Sequence, residues 1–275
     1  GLQEPIMIAD ILPHADGTKA GENHIAYVLD LAKRRRARLV GLHVMPELEI
    51  PPTYKPSMVV VVAIELEHRF ERDAAAAEPH FAALALRQRI STVWQSNVGP
   101  MADRICHAAR TSDLVVLGQF ERQGLAEHHP LTLAEAVALG CGRPAFMVPA
   151  TIGKPELRCS LIVWDRSRAA VRALHDALPL LRDSAVEIVM IDEPQAAEPG
   201  KPPIKHLVRH RMRIDRQLRL RGGPTARRLV ERLEAQHFDL LAIGAYGHAA
   251  WIGFLFGGTI QSALLNSSVP VLISH

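Results

Sequence analysis

The chain has 275 residues, 48% of them hydrophobic but only 5% aromatic, with a net charge of +3. This is enough apolar material for one large core or two ordinary ones, while the longest apolar run, Met58 to Ile64, is far short of the roughly 20 residues of a membrane helix. No secretory pattern is visible at the start, and Cys106, Cys141 and Cys159 are odd in number without metal-ligand spacing, so the expectation is a cytoplasmic protein away from membranes.

In chain order, "ILPHADGT" (Ile11 to Thr18) reads as a strand and turn, followed by a helical segment and the buried-strand run "RLVGLHV". "MPELEIPPTYKPSMVVVV" carries four prolines and is expected to leave the sheet rather than form another central strand. "GPMADRICHAARTSDLVVLG" then runs from helix into strand, and "RPAFMVP" is a last short strand. After the brief linker "PATIGKPELR" the order begins again. "LIVWDRS" opens it, "RAAVRALHDALPLL" is helical, and "VEIVMID" is a second strand. "RHRMRIDRQLRLR", Arg209 to Arg221, feeds a third strand, where basic side chains protect a sheet edge. "GPTARRLVERLEAQHFDLLAIG" repeats the helix-to-strand unit, and "VPVLIS" closes the chain.

The two halves are copies of one βα pattern. Gly118 and Pro144 are separated by the same number of residues as Gly244 and Pro270, so the last loop, helix and strand align without a gap. The expected fold is α/β, with domains over residues 1–150 and 151–275. Each is a doubly wound, five-stranded parallel sheet with helices on both faces.

"GAYGHAAWIGFLFGGT", residues 244 to 259, joins a strand to a helix. Glycines there serve either close packing of helix on strand or close approach of backbone to a phosphate, and "WIGFLF" would suit a hydrophobic plug. Asp165, after the first strand of the second half, suits a turn or helix cap as well as a ligand contact.

These residues carry a resemblance. The chain resembles a tandem universal stress protein, two UspA-type domains in one polypeptide, through the Asp-containing turn, the "GPTARRLVERLEAQHFDLLAIG" segment and the glycine loop. Nucleotide-binding members have G-x2-G-x9-G followed by Ser or Thr. Gly244, Gly247 and Gly257 keep that spacing, but Gly258 follows and the hydroxyl arrives only at Thr259. The resemblance implies an adenine-nucleotide alpha-hydrolase-like fold and an ATP or related adenine-nucleotide site in the second half, formed by Asp165, Ile191, Gly244, Gly247, Gly257, Gly258 and Thr259. Mg²⁺ would accompany the nucleotide and no other metal is expected. The resemblance also implies antiparallel pairing of the two domains through their last strands, Ala145 to Pro149 and Val271 to Ser274, and it is compatible with a further homodimer.

In the first half Gly118, Glu121 and Leu131 stand where the second has Gly244, Gly247 and Gly257, and a carboxylate there repels phosphate. That copy is expected to have a degenerate site, with Asp16, Gly17 and Thr18 structural. Residues 1–150 carry a slight acidic excess and residues 151–275 a basic one, but no recognition helix or stacking aromatic set accompanies it, so nucleic acid is not an expected partner. His206 and His210 share a face if helical, and His128 neighbours His129, without a third ligand at telling spacing. No catalytic residues are identified. The expected function is therefore a non-catalytic, nucleotide-sensing stress-response protein. A nucleotide-independent interaction or small-ligand-binding protein is the alternative, and a slow adenine-nucleotide hydrolase ranks below both.

Overall fold

A computed structural model describes residues 7–15, 19–45, 56–119, 130–150, 152, 154–182, 184–192, 201–221, 225–245 and 268–275. In the first half these form β1 (Asp10–Pro13), α1 (Lys19–Arg35), β2 (Arg38–Met45), α2 (Pro56–Gln88), β3 (Thr92–Val98), α3 (Met101–Ala109), β4 (Leu114–Gly118), α4 (Pro130–Gly140) and β5 (Ala145–Val148). The second half supplies β6 (Cys159–Trp164), α5 (Arg168–Ala177), β7 (Ala185–Asp192), α6 (Ile204–Arg209), β8 (Arg213–Arg221), α7 (Thr225–Ala235), β9 (Leu240–Gly244) and β10 (Val271–Ser274).

All ten strands belong to one sheet in the order β3-β2-β1-β4-β5-β10-β9-β6-β7-β8. Within each half the strands are parallel and follow the same doubly wound order, reversing direction of travel between β1 and β4 and again between β6 and β9. The halves meet where β5 and β10 pair antiparallel, Phe146 opposite Leu272 and Met147 opposite Val271. These short apolar strands are buried throughout. Each is covered on both faces, as uninterrupted apolar runs require.

Alternation along the strands sorts side chains into two cores. Ile11, Phe146, Ile162, Ile188 and Leu272 face one, while Leu12, Val115, Met147, Leu161 and Val271 face the other. Both cores draw on both halves. Tyr27 of α1 stacks on Phe146 at 6.1 Å, Asn23 donates to the Ala150 carbonyl at 2.9 Å, and Arg35 donates to the Leu180 carbonyl at 2.7 Å.

The duplication is visible in single hydrogen bonds. Before β4, Asp113 Oδ2 accepts the backbone N–H groups of Ala9 and Asp10 at 2.8 and 3.0 Å. Asp239, before β9, does the same for Arg158 and Cys159 at 2.8 and 2.9 Å. Three helices end on a residue with positive φ, Arg36, Arg89 and Arg211. The next N–H in each case bonds back to the last turn, Ala37 to Ala32, Ile90 to Ala85 and Met212 to Leu207, which satisfies terminal carbonyls and turns the chain toward a strand.

The halves differ most between their second and third strands. The Met58 to Val62 run lies in α2, a helix of 33 residues, whereas α6 in the same topological place has six. Phe81 of α2 packs on β2 where Gly41 leaves room, since a Cβ on Gly41 would come within 2.7 Å of the Phe81 ring. Ile188 occupies the matching register position in β7. At the sheet ends, β3 exposes Val93 and Val98, and β8 carries Arg213, Arg216, Arg219 and Arg221. The basic strand is an edge strand, and its charges disfavour pairing with a further chain.

Candidate functional site

In open α/β sheets, ligands bind beyond the carboxyl ends of the strands where the strand order reverses. In the second half that point lies between β6 and β9. Asp165 follows the last residue of β6, Ile191 is next to last in β7, and Gly244 ends β9. Three residues singled out by sequence therefore share one sheet edge.

The turn after β6 explains why this segment folds as it does. Asp165 is 5% exposed, and its Oδ1 accepts the Ser167 N–H at 2.9 Å, closing an Asx turn. Ser167 is the N-cap of α5, its Oγ accepting the Ala170 N–H at 3.0 Å. Asp165 is thus the turn residue and Ser167 the cap. Between them Arg166 adopts φ +68°, a left-handed conformation uncommon outside glycine. Arg166 and Arg168 are exposed beside the amino end of α5, where the helix dipole adds positive potential.

Ile191 is buried, and its neighbour Asp192, 5% exposed, accepts from Arg219 Nη1 of β8 at 2.5 Å. Sequence reasoning did not find this ion pair. The available signal was an acid at the end of an otherwise apolar strand, but its partner stands on a strand 27 residues away. Glu187 was also missed. It is 3% exposed within β7, and Arg232 of α7 donates through Nε to Oε1 at 2.6 Å and through Nη2 to Oε2.

Of the two readings of Gly244, close packing is the one the structure supports. A Cβ on Gly244 would lie 2.4 Å from the Ala169 carbonyl carbon and 2.5 Å from the Ala170 nitrogen, so the first turn of α5 occupies the space that a side chain would take. Gly247, Gly257, Gly258 and Thr259, together with Tyr246, His248 and the "WIGFLF" stretch, lie outside the described residues.

At the matching point of the first half, His14, His24 and His43 are buried. His24 Nε2 donates to the His14 carbonyl at 2.8 Å and His43 Nδ1 to the Ala15 carbonyl at 2.7 Å, which fixes the proton-bearing nitrogen of each ring. The His24 ring covers Gly118, the counterpart of Gly244, with Nδ1 2.5 Å from where a Cβ would stand. An imidazole therefore fills the end of β4. Asp16, Gly17, Thr18 and Glu121 lie outside the described residues, and Leu131 falls in α4.

His206 sits between two other imidazoles, with ring centroids 4.6 Å from His210 and 4.9 Å from His175. Burial pulls the His206 pKa down, and His175, His210 and Arg209 add charge repulsion in the same direction. Among the described residues no group of three or more His, Cys, Asp or Glu side chains has the geometry to hold a metal ion. Among them, too, no helix is long and apolar enough to cross a membrane. What the second-half edge offers is a buried carboxylate, exposed guanidinium groups and the amino end of a helix. Those are groups that bind and orient a ligand carrying hydroxyls and negative charge.

Residues 7–149 and 161–275 each match the family model described as "Universal stress protein family". No curated protein sequence matches the chain significantly. Among solved structures, a universal stress protein from Archaeoglobus fulgidus DSM 4304 is 16% identical and superposes with a TM-score of 0.69, over 96% of this chain and 95% of that one. A functionally unknown protein from Pseudomonas aeruginosa PAO1 is 11% identical, with a TM-score of 0.55 over 97% and 92% of the two chains. At such identities the likeness is one of fold.

Proposed function

Because the chain belongs to the universal stress protein family, we propose that it is a non-catalytic stress-response protein whose second half binds ATP or a related adenine nucleotide. The observation that carries this reading is the convergence of Asp165, Ile191 and Gly244 on the strand ends at the order reversal between β6 and β9. In this reading the Asp165 carboxylate, held by the Ser167 N–H, accepts hydrogen bonds from the ribose or the adenine amino group. Backbone groups near Ile191 meet the base. Gly244 contributes indirectly, by letting α5 lie close enough for its amino end to face the ligand. The phosphates fall to the Gly247, Gly257, Gly258 and Thr259 loop, and Mg²⁺ arrives with them rather than in a protein-held site.

Only the second half is expected to bind, because Glu121 and Leu131 stand in the first half where the second has Gly247 and Gly257. The paired β5 and β10 support reading the chain as an internal dimer in solution, any homodimer using other surfaces. Three unbridged cysteines fit a reducing cytoplasm.

Titration calorimetry of the intact chain with ATP tests the proposal. One site per chain is expected. Asp165→Asn should weaken it about tenfold, the loss expected of one charge-assisted hydrogen bond, and Gly247→Val should abolish it without unfolding the protein. Two equal sites, or indifference to both substitutions, would overturn the assignment. Turnover should stay far below the order of 1 per second seen in ordinary enzymes. Absence of binding would favour the second reading, an interaction protein, which the hydroxyl-free Gly258 supports.

A further inference from the structure

The ten-stranded sheet ends in two edges that are built differently. β8 carries Arg213, Arg216, Arg219 and Arg221, and its register against β7 slips at Asp215, since Val186 lies opposite Ile214 while Glu187 lies opposite Arg216. Charge and a bulge both keep an edge from pairing with another chain. β3 has neither. Its sequence "TVWQSNV" contains no charged residue and no proline, and it runs against β2 without a slip, from Leu39 opposite Thr92 to Met45 opposite Val98. Val98 is 56% exposed, Val93 43%, and Leu86, in the last turn of α2 before this strand, 77%. Gln95 and Ser96 are exposed as well.

The backbone of β3 sorts by parity. The Leu39 N–H donates to the Ser91 carbonyl and the Gly99 N–H to the Met45 carbonyl, both at 3.0 Å, so odd-numbered residues turn their N–H and C=O groups toward β2. Thr92, Trp94, Ser96 and Val98 therefore turn theirs away from the sheet. Beyond them Gly99 has φ +135° and Pro100 has no N–H, which ends the strand. The outward row is symmetric about Gln95.

We propose that two copies of this chain pair antiparallel through β3, about a twofold axis at Gln95. Thr92 then faces the partner's Val98 and Trp94 the partner's Ser96, each pair exchanging two backbone hydrogen bonds, about eight in all. Val93 lies opposite the partner's Asn97, and Gln95 lies opposite the partner's Gln95. No like charges meet along the strand. Charge and closure select a second copy as the occupant. Pairing β8 with another β8 brings two arginine-rich strands together, and pairing β3 with β8 leaves one free edge of each kind, so that chains add without limit. Of the three pairings, β3 with β3 alone joins uncharged strands and closes as a dimer. The molecule already uses this solution internally, where the uncharged β5 and β10 join its halves antiparallel. The dimer joins first halves and leaves the order reversal between β6 and β9 at a distance from the axis, so association needs no nucleotide.

Sedimentation velocity of the full-length protein without nucleotide, from about 1 to 200 micromolar, should show a monomer–dimer equilibrium. Gln95→Lys sets like charges across the axis at a side chain exposed in the monomer, and should weaken the dimer about tenfold or more while leaving thermal unfolding of the dilute protein unchanged. Mixing Gln95→Lys with Gln95→Glu should restore association as a mixed dimer. On mild oxidation Gln95→Cys should link two copies of the peptide Ile90 to Arg104, because opposite residues at a non-hydrogen-bonded position stand close enough for a disulfide. Ser96→Cys, which faces the partner's Trp94, should not link to itself. A protein that stays monomeric throughout, one that assembles beyond dimers, a dimer indifferent to Gln95→Lys, or a dimer that Gln95→Cys fails to link would overturn the proposal.

Discussion

The two halves share a strand order and even the Asp113 and Asp239 hydrogen bonds, yet they use the order-reversal point in opposite ways. In the first, the β4 terminus is covered by the His24 imidazole; in the second, the β9 terminus is covered by the backbone of α5, whose amino end follows the Asp165 turn. The same division appears one strand away. Val40 of β2 is an apolar core residue, while Glu187 at the matching register of β7 is a buried carboxylate tied to Arg232. A duplicated fold can keep its backbone hydrogen bonding and still exchange apolar packing for buried polar contacts. The sheet depends on the former, while the local chemistry depends on the latter.

The largest effect should come from breaking the buried Glu187 charge, where β2 has Val40 at the matching position. Arg232→Ala leaves Glu187 without its main partner and should destabilise the protein by about 3–5 kcal/mol. The double replacement Glu187→Leu with Arg232→Met should recover most of that loss. Chemical denaturation measures both, and a loss below about 1 kcal/mol for Arg232→Ala would show the pair to be solvent-screened.

A smaller contrast separates the two strand-end glycines. Gly244→Ala drives a methyl group into the α5 backbone, which cannot rotate away, and should cost about 1–3 kcal/mol. Gly118→Ala meets a side chain that can move, at the expense of the His24 hydrogen bond, about 1 kcal/mol. Equal losses would indicate that His24 is as immobile as a helix backbone. At the next level, Arg166→Gly should stabilise by about 0.5 kcal/mol, relieving a left-handed residue while adding unfolded-state freedom. The first half already has Gly17 at that place in the repeat.

The smallest expected effect concerns the short helix that stands opposite the long α2. The folded-state pKa of His206 is below its unfolded value of about 6.5. The unfolded chain therefore takes up the proton first on acidification. Stability contributed by neutral His206 is complete above about pH 6.5 and declines as pH falls toward the lower folded value. His206→Gln should flatten the stability profile between about pH 7.5 and 5.5 relative to wild type. An unchanged slope would assign the acid sensitivity to other groups.

By itself the sequence determined the duplicated α/β architecture, because buried parallel strands leave uninterrupted apolar runs and the repeat of "GPMADRICHAARTSDLVVLG" in "GPTARRLVERLEAQHFDLLAIG" needs no three-dimensional knowledge. It also brought Asp165, Ile191 and Gly244 to one sheet edge, since parallel strands joined by right-handed crossovers place all their carboxyl ends together. Only the tertiary structure decided what each residue touches. Gly244 answers to the α5 backbone, Glu187 to an arginine on α7, and Cys106 to carbonyls of α4. The reason is that periodicity reports which face a side chain occupies. Its partner across that face is set by how helices of unequal length, such as α2 and α6, seat on the sheet, and that depends on contacts far apart in the chain.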